Sequence, residues 1–269
     1  MLSFVIRNLQ IRSMLLAIDI GNTNVTLGLY EGKTLGSRWR LSTDHSRTKD
    51  EYGALLLGLL HRANISPAEV LAVSMASVVP TLTGVFAEVG RQFLRCEPLV
   101  IDGTSNTGVR ILCDDPRQVG ADRIVDAAAA YRLHGGPACI IDFGTATTFD
   151  AISAEGDFLG GAIAPGIGIA AEAMAQRTAK LPKVDLRWPP SPIGRNATHS
   201  LQSGLMFGYV GLVEGIVGRF VDELGPDTRV IATGGLAEII SNKTKAITIL
   251  APWLTLDGLR IIYDLNAGI

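Results

Sequence analysis

The feature that most constrains this chain is a glycine-centred turn that occurs twice in the same setting. An apolar run over 15–18 leads into Asp19-Ile20-Gly21-Asn22-Thr23-Asn24. Residues 25–30 then alternate, Glu31-Gly32 signals a turn, and 35–39 resumes as a strand. A second apolar run over 138–141 leads into Asp142-Phe143-Gly144-Thr145-Ala146-Thr147. A strand over 148–152, a Glu155-Gly156 turn and another strand over 158–162 follow. One strand–turn–strand of this kind is commonplace. The same succession at the start of each half predicts an α/β fold of two similar lobes, each a mixed sheet flanked by helices, with a cleft between them.

The remaining pattern supplies the flanking elements. Apolar spacing predicts helices over 48–63 and 81–93 and strands over 70–76 and 98–101. In the second half it predicts an alanine-rich helix over 121–133 and a long, glycine-interrupted one over 200–224. A strand over 229–232 ends in Thr233-Gly234-Gly235, and a last helix covers 256–265. The proline-rich 188–192 reads as a loop. The expected division is 14–118 and 119–269, with 1–13 as a disordered extension or an upstream start.

Composition excludes several function classes. Apolar residues make up 47% of the chain and the formal net charge is −2. That leaves no basic footprint for nucleic acid or an anionic membrane. Cys96, Cys113 and Cys139 are odd in number and form no CxxC pair, which argues against a disulfide framework or a zinc site. His45, His61, His134 and His199 share no constellation. Arg7 and Arg12 precede a short apolar stretch that ends at Asp19 with no small-residue cleavage site, so it does not read as a signal peptide. No other stretch is long enough to span a bilayer without charges, and the expectation is a cytoplasmic protein.

The repeated turn has a physical use. Glycine lets the backbone approach a phosphate closely, and successive N–H groups can form an anion-binding nest. Asn and Thr add hydrogen bonds, and the Asp attracts the metal that accompanies ATP. Either turn alone reads equally well as a capped hairpin; the pair favours phosphate binding. Thr233-Gly234-Gly235 could admit a nucleoside against the backbone or simply start a helix. Gly160-Gly161-Ala162-Ile163-Ala164-Pro165-Gly166 reads as a shaped loop near substrate. Gly120-Ala121-Asp122-Arg123 opens a helix, where the dipole favours an ionised Asp122. From position alone, Asp122 reads as an ordinary first-turn acid.

Taken together and in order, these five segments resemble the type III pantothenate kinases, a branch of the actin-like ATPase superfamily whose lobes are ribonuclease H-like. The similarity runs from about residue 14 to 266, and Gly120-Ala121-Asp122-Arg123 is its most specific element. The resemblance implies ATP-dependent phosphorylation of pantothenate, the first step of coenzyme A synthesis, in a homodimer. It assigns Asp19, Ile20, Gly21, Asn22, Thr23, Asn24, Val25 and Thr26 to the first phosphate loop, with Asp19 near Mg²⁺. It gives Thr145, Thr233, Gly234 and Gly235 to ATP, and Gly120, Ala121, Asp122, Arg123 and Thr198 to pantothenate. Asp122 becomes the proton acceptor, and Asp142 the ligand of a monovalent cation, K⁺ or NH₄⁺. Cys113 stands where the family commonly has a substrate-contacting tyrosine. The alternative is a non-catalytic nucleotide-binding or regulatory relative of the same fold.

Overall fold

The computed structural model describes residues 13–102 and 104–269, so the extension reading of 1–13 lies outside the described residues apart from Ser13. The chain forms two compact units that divide after Asp102.

In the first unit, β1 (Met14–Ile20), β2 (Asn24–Glu31), β3 (Thr34–Ser42), β4 (Val70–Ser77) and β5 (Leu99–Ile101) form one sheet in the order β3-β2-β1-β4-β5. β1 is antiparallel to β2 and parallel to β4, so the sheet is mixed. As a central strand covered on both faces, β1 is apolar throughout except at Asp19. Edge strand β3 instead alternates exposed and half-buried positions. Helix α1 (Lys49–Arg62) starts with a capping box: Thr48 Oγ1 accepts from the Glu51 N–H, and the Glu51 carboxylate accepts from the Thr48 N–H at 2.8 Å. Its Tyr52, Leu56 and Leu60 fall on one face and are buried. Tyr52 packs its ring 4.7 Å from that of Phe86 on α2 (Pro80–Val89).

The second unit repeats the plan. β6 (Ala138–Phe143), β7 (Ala146–Ile152), β8 (Phe158–Pro165), β9 (Arg229–Gly234) and β10 (Ile249–Leu250) order as β10-β9-β6-β7-β8, with the same parallel and antiparallel pairings. The mixed-sheet α/β class expected from the repeated turns is therefore observed in both units. Helix α3 (Ala121–His134) precedes this sheet; α4 (Ile167–Arg177), α5 (Ala197–Leu224), α6 (Ala237–Ser241) and α7 (Leu254–Ala267) complete the unit. Period-2 alternation sends Cys139 and Ile141 to the face covered by α5 and Ile140 to the face covered by α3. Alanines 127–130 let α7 approach α3 closely: a Cβ on Gly258 would lie 2.3 Å from the Val125 carbonyl oxygen. Any side chain at 258 would force the two helices apart.

Three features differ from the sequence-based expectation. The stretch before α3, expected in the first lobe, is held to the second unit. The Leu112 N–H donates to Phe158 O, the Phe158 N–H donates to Arg110 O (both 2.8 Å), and the Arg110 guanidinium pairs with Asp157 at 2.6 Å. The strand expected over 158–162 continues through 163–165, which had read as part of a shaped loop, to form edge strand β8. Its glycines serve a bulge, where Gly160 adopts φ +128°, and a close approach described below. Helix α4 has no counterpart among the expected elements; its N-terminus has Gly166 and no side-chain cap, so the usual start signal is missing.

Candidate active site

Asp19 is the one polar residue of β1, paired with Thr26 across the hairpin. Gly21 to Asn24 turn the chain, with the Gly21 N–H donating to Asn24 O at 3.0 Å. Asn22 and Thr23 are exposed. Thr43, which sequence reading missed, braces this turn twice. Its N–H donates to Thr23 O at 3.0 Å and its hydroxyl donates to Gly21 O at 2.6 Å. The signal was weak because 22 residues separate the partners.

Asp142 occupies the equivalent place in the second unit, at the end of β6, with Gly144 and Thr145 exposed in the turn that follows. Gly166 seals the back of this turn. Its N–H donates to Thr145 O at 3.1 Å, and a Cβ there would lie 2.1 Å from the same oxygen. Tyr209 of α5 adds a hydroxyl that bonds Thr147 Oγ1 at 3.1 Å and donates to Pro165 O. Thr233 is buried in β9 opposite Asp142, whereas Gly235 is exposed. Gly234 has φ +90°, and a Cβ on it would stand 2.3 Å from Asp142 Oδ1. That glycine makes room for the Asp142 carboxylate.

Asp122 lies in the first turn of α3, after Gly120 and Ala121, and its Oδ1 accepts the Arg123 N–H at 2.8 Å. The helix dipole favours an ionised group there. Burial outweighs it and holds Asp122 above the usual carboxylate range, although the Arg123 N–H and charge pull the other way. Asp142 is pushed up to about 7 by burial and by the charges of Asp122 and Asp150. Asp150 of β7, absent from the sequence-based candidates, is raised to about 6 by burial despite its bond to Arg123. The structure thus gathers Asp122, Arg123, Asp142 and Asp150 against the second sheet. Cys113 borders the group: its sulfur is 3.8 Å from where a Gly160 Cβ would be, and both Arg123 and Asp150 act on its thiol. Thr198 is exposed in the first turn of α5, and among the described residues none of this group's hydrogen bonds reaches it.

A carboxylate of raised basicity beside an arginine, at a helix start and next to a glycine turn, suits proton acceptance during phosphoryl transfer. A family model described as type III pantothenate kinase matches residues 15–219. The type III pantothenate kinase of Roseiflexus sp. is 51% identical over 253 residues, 94% of this chain and 99% of that protein. That of Moorella thermoacetica is also 51% identical, over 94% of this chain and 100% of its own length. The chain belongs to the type III pantothenate kinase family. Among solved structures, a ROK hexokinase from Thermus thermophilus aligns over 95% of this chain and 99% of its own, with a TM-score of 0.51 and 14% identity. That likeness concerns the fold alone.

Proposed function

We propose that this kinase transfers the terminal phosphoryl group of MgATP to the primary hydroxyl of pantothenate, the first step of coenzyme A synthesis, in the cytoplasm. The observation that carries the reading is Asp122: a half-buried carboxylate, its basicity raised by desolvation, in the family's most specific segment. Phosphoryl transfer asks mainly for positioning and charge neutralisation. Asp122 orients the pantothenate hydroxyl and takes its proton late, as the new P–O bond forms and the bond to the ADP leaving oxygen breaks. Arg123 with Gly120, Ala121 and Cys113 supports the substrate, and Thr198 adds a contact.

Residues 19–26 hold ATP phosphates through backbone N–H groups, and Thr145 with Thr233-Gly234-Gly235 supports the nucleotide. Among the described residues no set of three or more His, Cys, Asp or Glu side chains could hold a metal ion. Mg²⁺ would arrive with ATP, held by its phosphates and water with Asp19 nearby, and would offset phosphate charge. A monovalent cation, K⁺ or NH₄⁺, fits beside Asp142, because the neighbouring carboxylates disfavour its ionised form unless a positive charge is present.

A homodimer formed through α5 is part of this reading. That helix is long and apolar enough to cross a membrane, yet its buried residues Met206, Tyr209, Val213 and Val217 pack on the sheet, and its exposed Phe207 with glycines 204, 208, 211 and 218 would let a second copy approach closely. Light scattering that finds only monomer at micromolar concentration would remove the dimer. The function itself is tested by incubating the protein with ATP and pantothenate and following 4'-phosphopantothenate by mass. Product is expected to need both substrates; absence of pantothenate-dependent ADP formation overturns the proposal.

A further inference from the structure

Asp150 sits in the middle of β7, between core residues Phe149 and Ile152, with its side chain 1% exposed. A carboxylate there is costly unless fully engaged. Its Oδ1 accepts from Arg123 Nε at 2.8 Å and from Arg123 Nη2 at 2.5 Å, and its Oδ2 faces the Thr148 hydroxyl at 3.4 Å. The surroundings fit this pair. The guanidinium carbon lies 5.3 Å from the centre of the Phe158 ring. Across the β7–β8 ladder the partner of Asp150 is Gly161, where a Cβ would stand 2.8 Å from both Arg123 Nη2 and Asp150 Oδ1.

A guanidinium has five N–H groups. Two serve Asp150, and among the described residues the other three have no partner, although the side chain is only 16% exposed. Largely desolvated donors held in a fixed plane are suited to substrate oxygens. The backbone of the same residue donates to Asp122, so an Arg123 locked in place also steadies the base.

We propose that Asp150 is a positioning residue for pantothenate: it acts through Arg123, fixing the guanidinium against Phe158 and Gly161 so that its remaining N–H groups meet the substrate. This rests on the kinase reading above. Asp150 touches no reacting atom itself, so its effect belongs in pantothenate recognition and not in nucleotide binding.

The test is a double-mutant cycle on the full chain with Asp150→Asn, Arg123→Lys and the double variant. Asp150→Asn is expected to raise the KM for pantothenate by about 10–100-fold, the range for a lost charge-assisted hydrogen bond. The KM for ATP should stay within about two-fold, because no contact proposed for the nucleotide is altered. The double variant should be no worse toward pantothenate than Arg123→Lys alone, since one partner acts only through the other. A folded Asp150→Asn with wild-type KM for pantothenate, or losses that multiply across the cycle, overturns the proposal. If Asp150→Asn does not fold, Thr148→Val loosens Asp150 without removing it. A pantothenate KM raised about two- to five-fold supports the proposal, and an unchanged one sinks it. Failure of the underlying reading looks different: the wild-type protein would then form no phosphopantothenate, and this inference would fall with it.

Discussion

In the first repeat the residue of β2 that pairs with Ala17 is Gly28, and its neighbour on β3 is Arg38. At the same place in the second repeat, two positions before the turn aspartate on the central strand, Ile140 pairs with Asp150, whose neighbour on β8 is Gly161. The backbone plan is shared to the register, yet glycine and charge have changed places. The two turns differ as well. Four residues, Gly21 to Asn24, lie between the last paired positions of the first hairpin, against three, Gly144 to Ala146, in the second. The first is braced by the backbone and hydroxyl of Thr43, the second by Gly166. A duplicated scaffold can therefore keep its sheet and still divide labour. The first turn remains a polar loop suited to phosphate, and the second repeat adds the carboxylates and the arginine that suit an alcohol substrate and its proton.

The strongest way to break this comparison is Asp122→Asn. The substitution keeps size and polarity but cannot accept the hydroxyl proton. Turnover should fall by about 10²–10⁴-fold, the usual contribution of a general base. ATP binding should be nearly unchanged if the first repeat carries most of the phosphate contacts. Single-turnover phosphorylation and ATP titration on the same preparation check both halves. A folded Asp122→Asn protein with near wild-type turnover would return Asp122 to the role of an ordinary first-turn acid.

Next in size is the cation. Asp142 lies at the position equivalent to Asp19 but beside two further carboxylates, so only the second repeat should need a monovalent ion. Activity in potassium buffer is expected to exceed that in matched sodium or Tris buffer by about ten-fold or more, which corresponds to about 1.4 kcal/mol in the activation barrier. Asp142→Asn should abolish that difference. Equal rates in all three buffers would remove the cation from Asp142. Thr43→Val sharpens the other side of the comparison. Loss of one half-buried hydrogen bond to Gly21 O should raise the KM for ATP by about two- to ten-fold and leave that for pantothenate alone. A change confined to pantothenate would contradict the division of labour.

How far the sequence led can be traced residue by residue. The repeated turns were legible because apolar strands broken by Asp-x-Gly stand out locally, and the three antiparallel strands around each turn followed from them; the two-residue β10 was too short to leave a pattern. Its place at a helix start made Asp122 read as an ordinary acid, and the role proposed for it came from the resemblance carried by Gly120-Ala121-Asp122-Arg123. Asp150 was not legible, because one acid within an apolar strand has no periodic signature; the only available signal was the cost of burying it. Thr43 acts across a gap that no local pattern spans. The glycines at 160 and 161 misled because glycine usually marks a loop, whereas here one serves a bulge and the other clears space for an ion pair formed by residues from α3 and β7. Each miss involves a contact set by tertiary packing.

The smallest effect expected is on stability, and it isolates the carboxylates of the second repeat. Asp142 and Asp150 are raised in the folded protein to about 7 and about 6, from an ordinary value of 3.8. The folded state therefore binds their protons more tightly than the unfolded chain does. Between about pH 4 and 7 the folded form carries more protons, so stability is greatest at the acid end of that window and falls as pH rises through it. Exposed carboxylates such as Glu51 and Asp115 are lowered by their hydrogen bonds and act in the opposite sense, so the informative quantity is the difference between variant and wild type. Asp142→Asn removes one raised group. Measured without nucleotide or potassium, its melting temperature should gain on the wild type as pH rises from 5 to 8, by about 2–6 °C over that range, which corresponds to roughly 1–2 kcal/mol in a unit of this size. Since the amide side chain of that variant still fills the space that Gly234 leaves, packing should survive the change. If the two melting profiles run parallel from pH 5 to pH 8, the carboxylate is not strained in the folded protein, and the electrostatic contrast between the two repeats loses its main support.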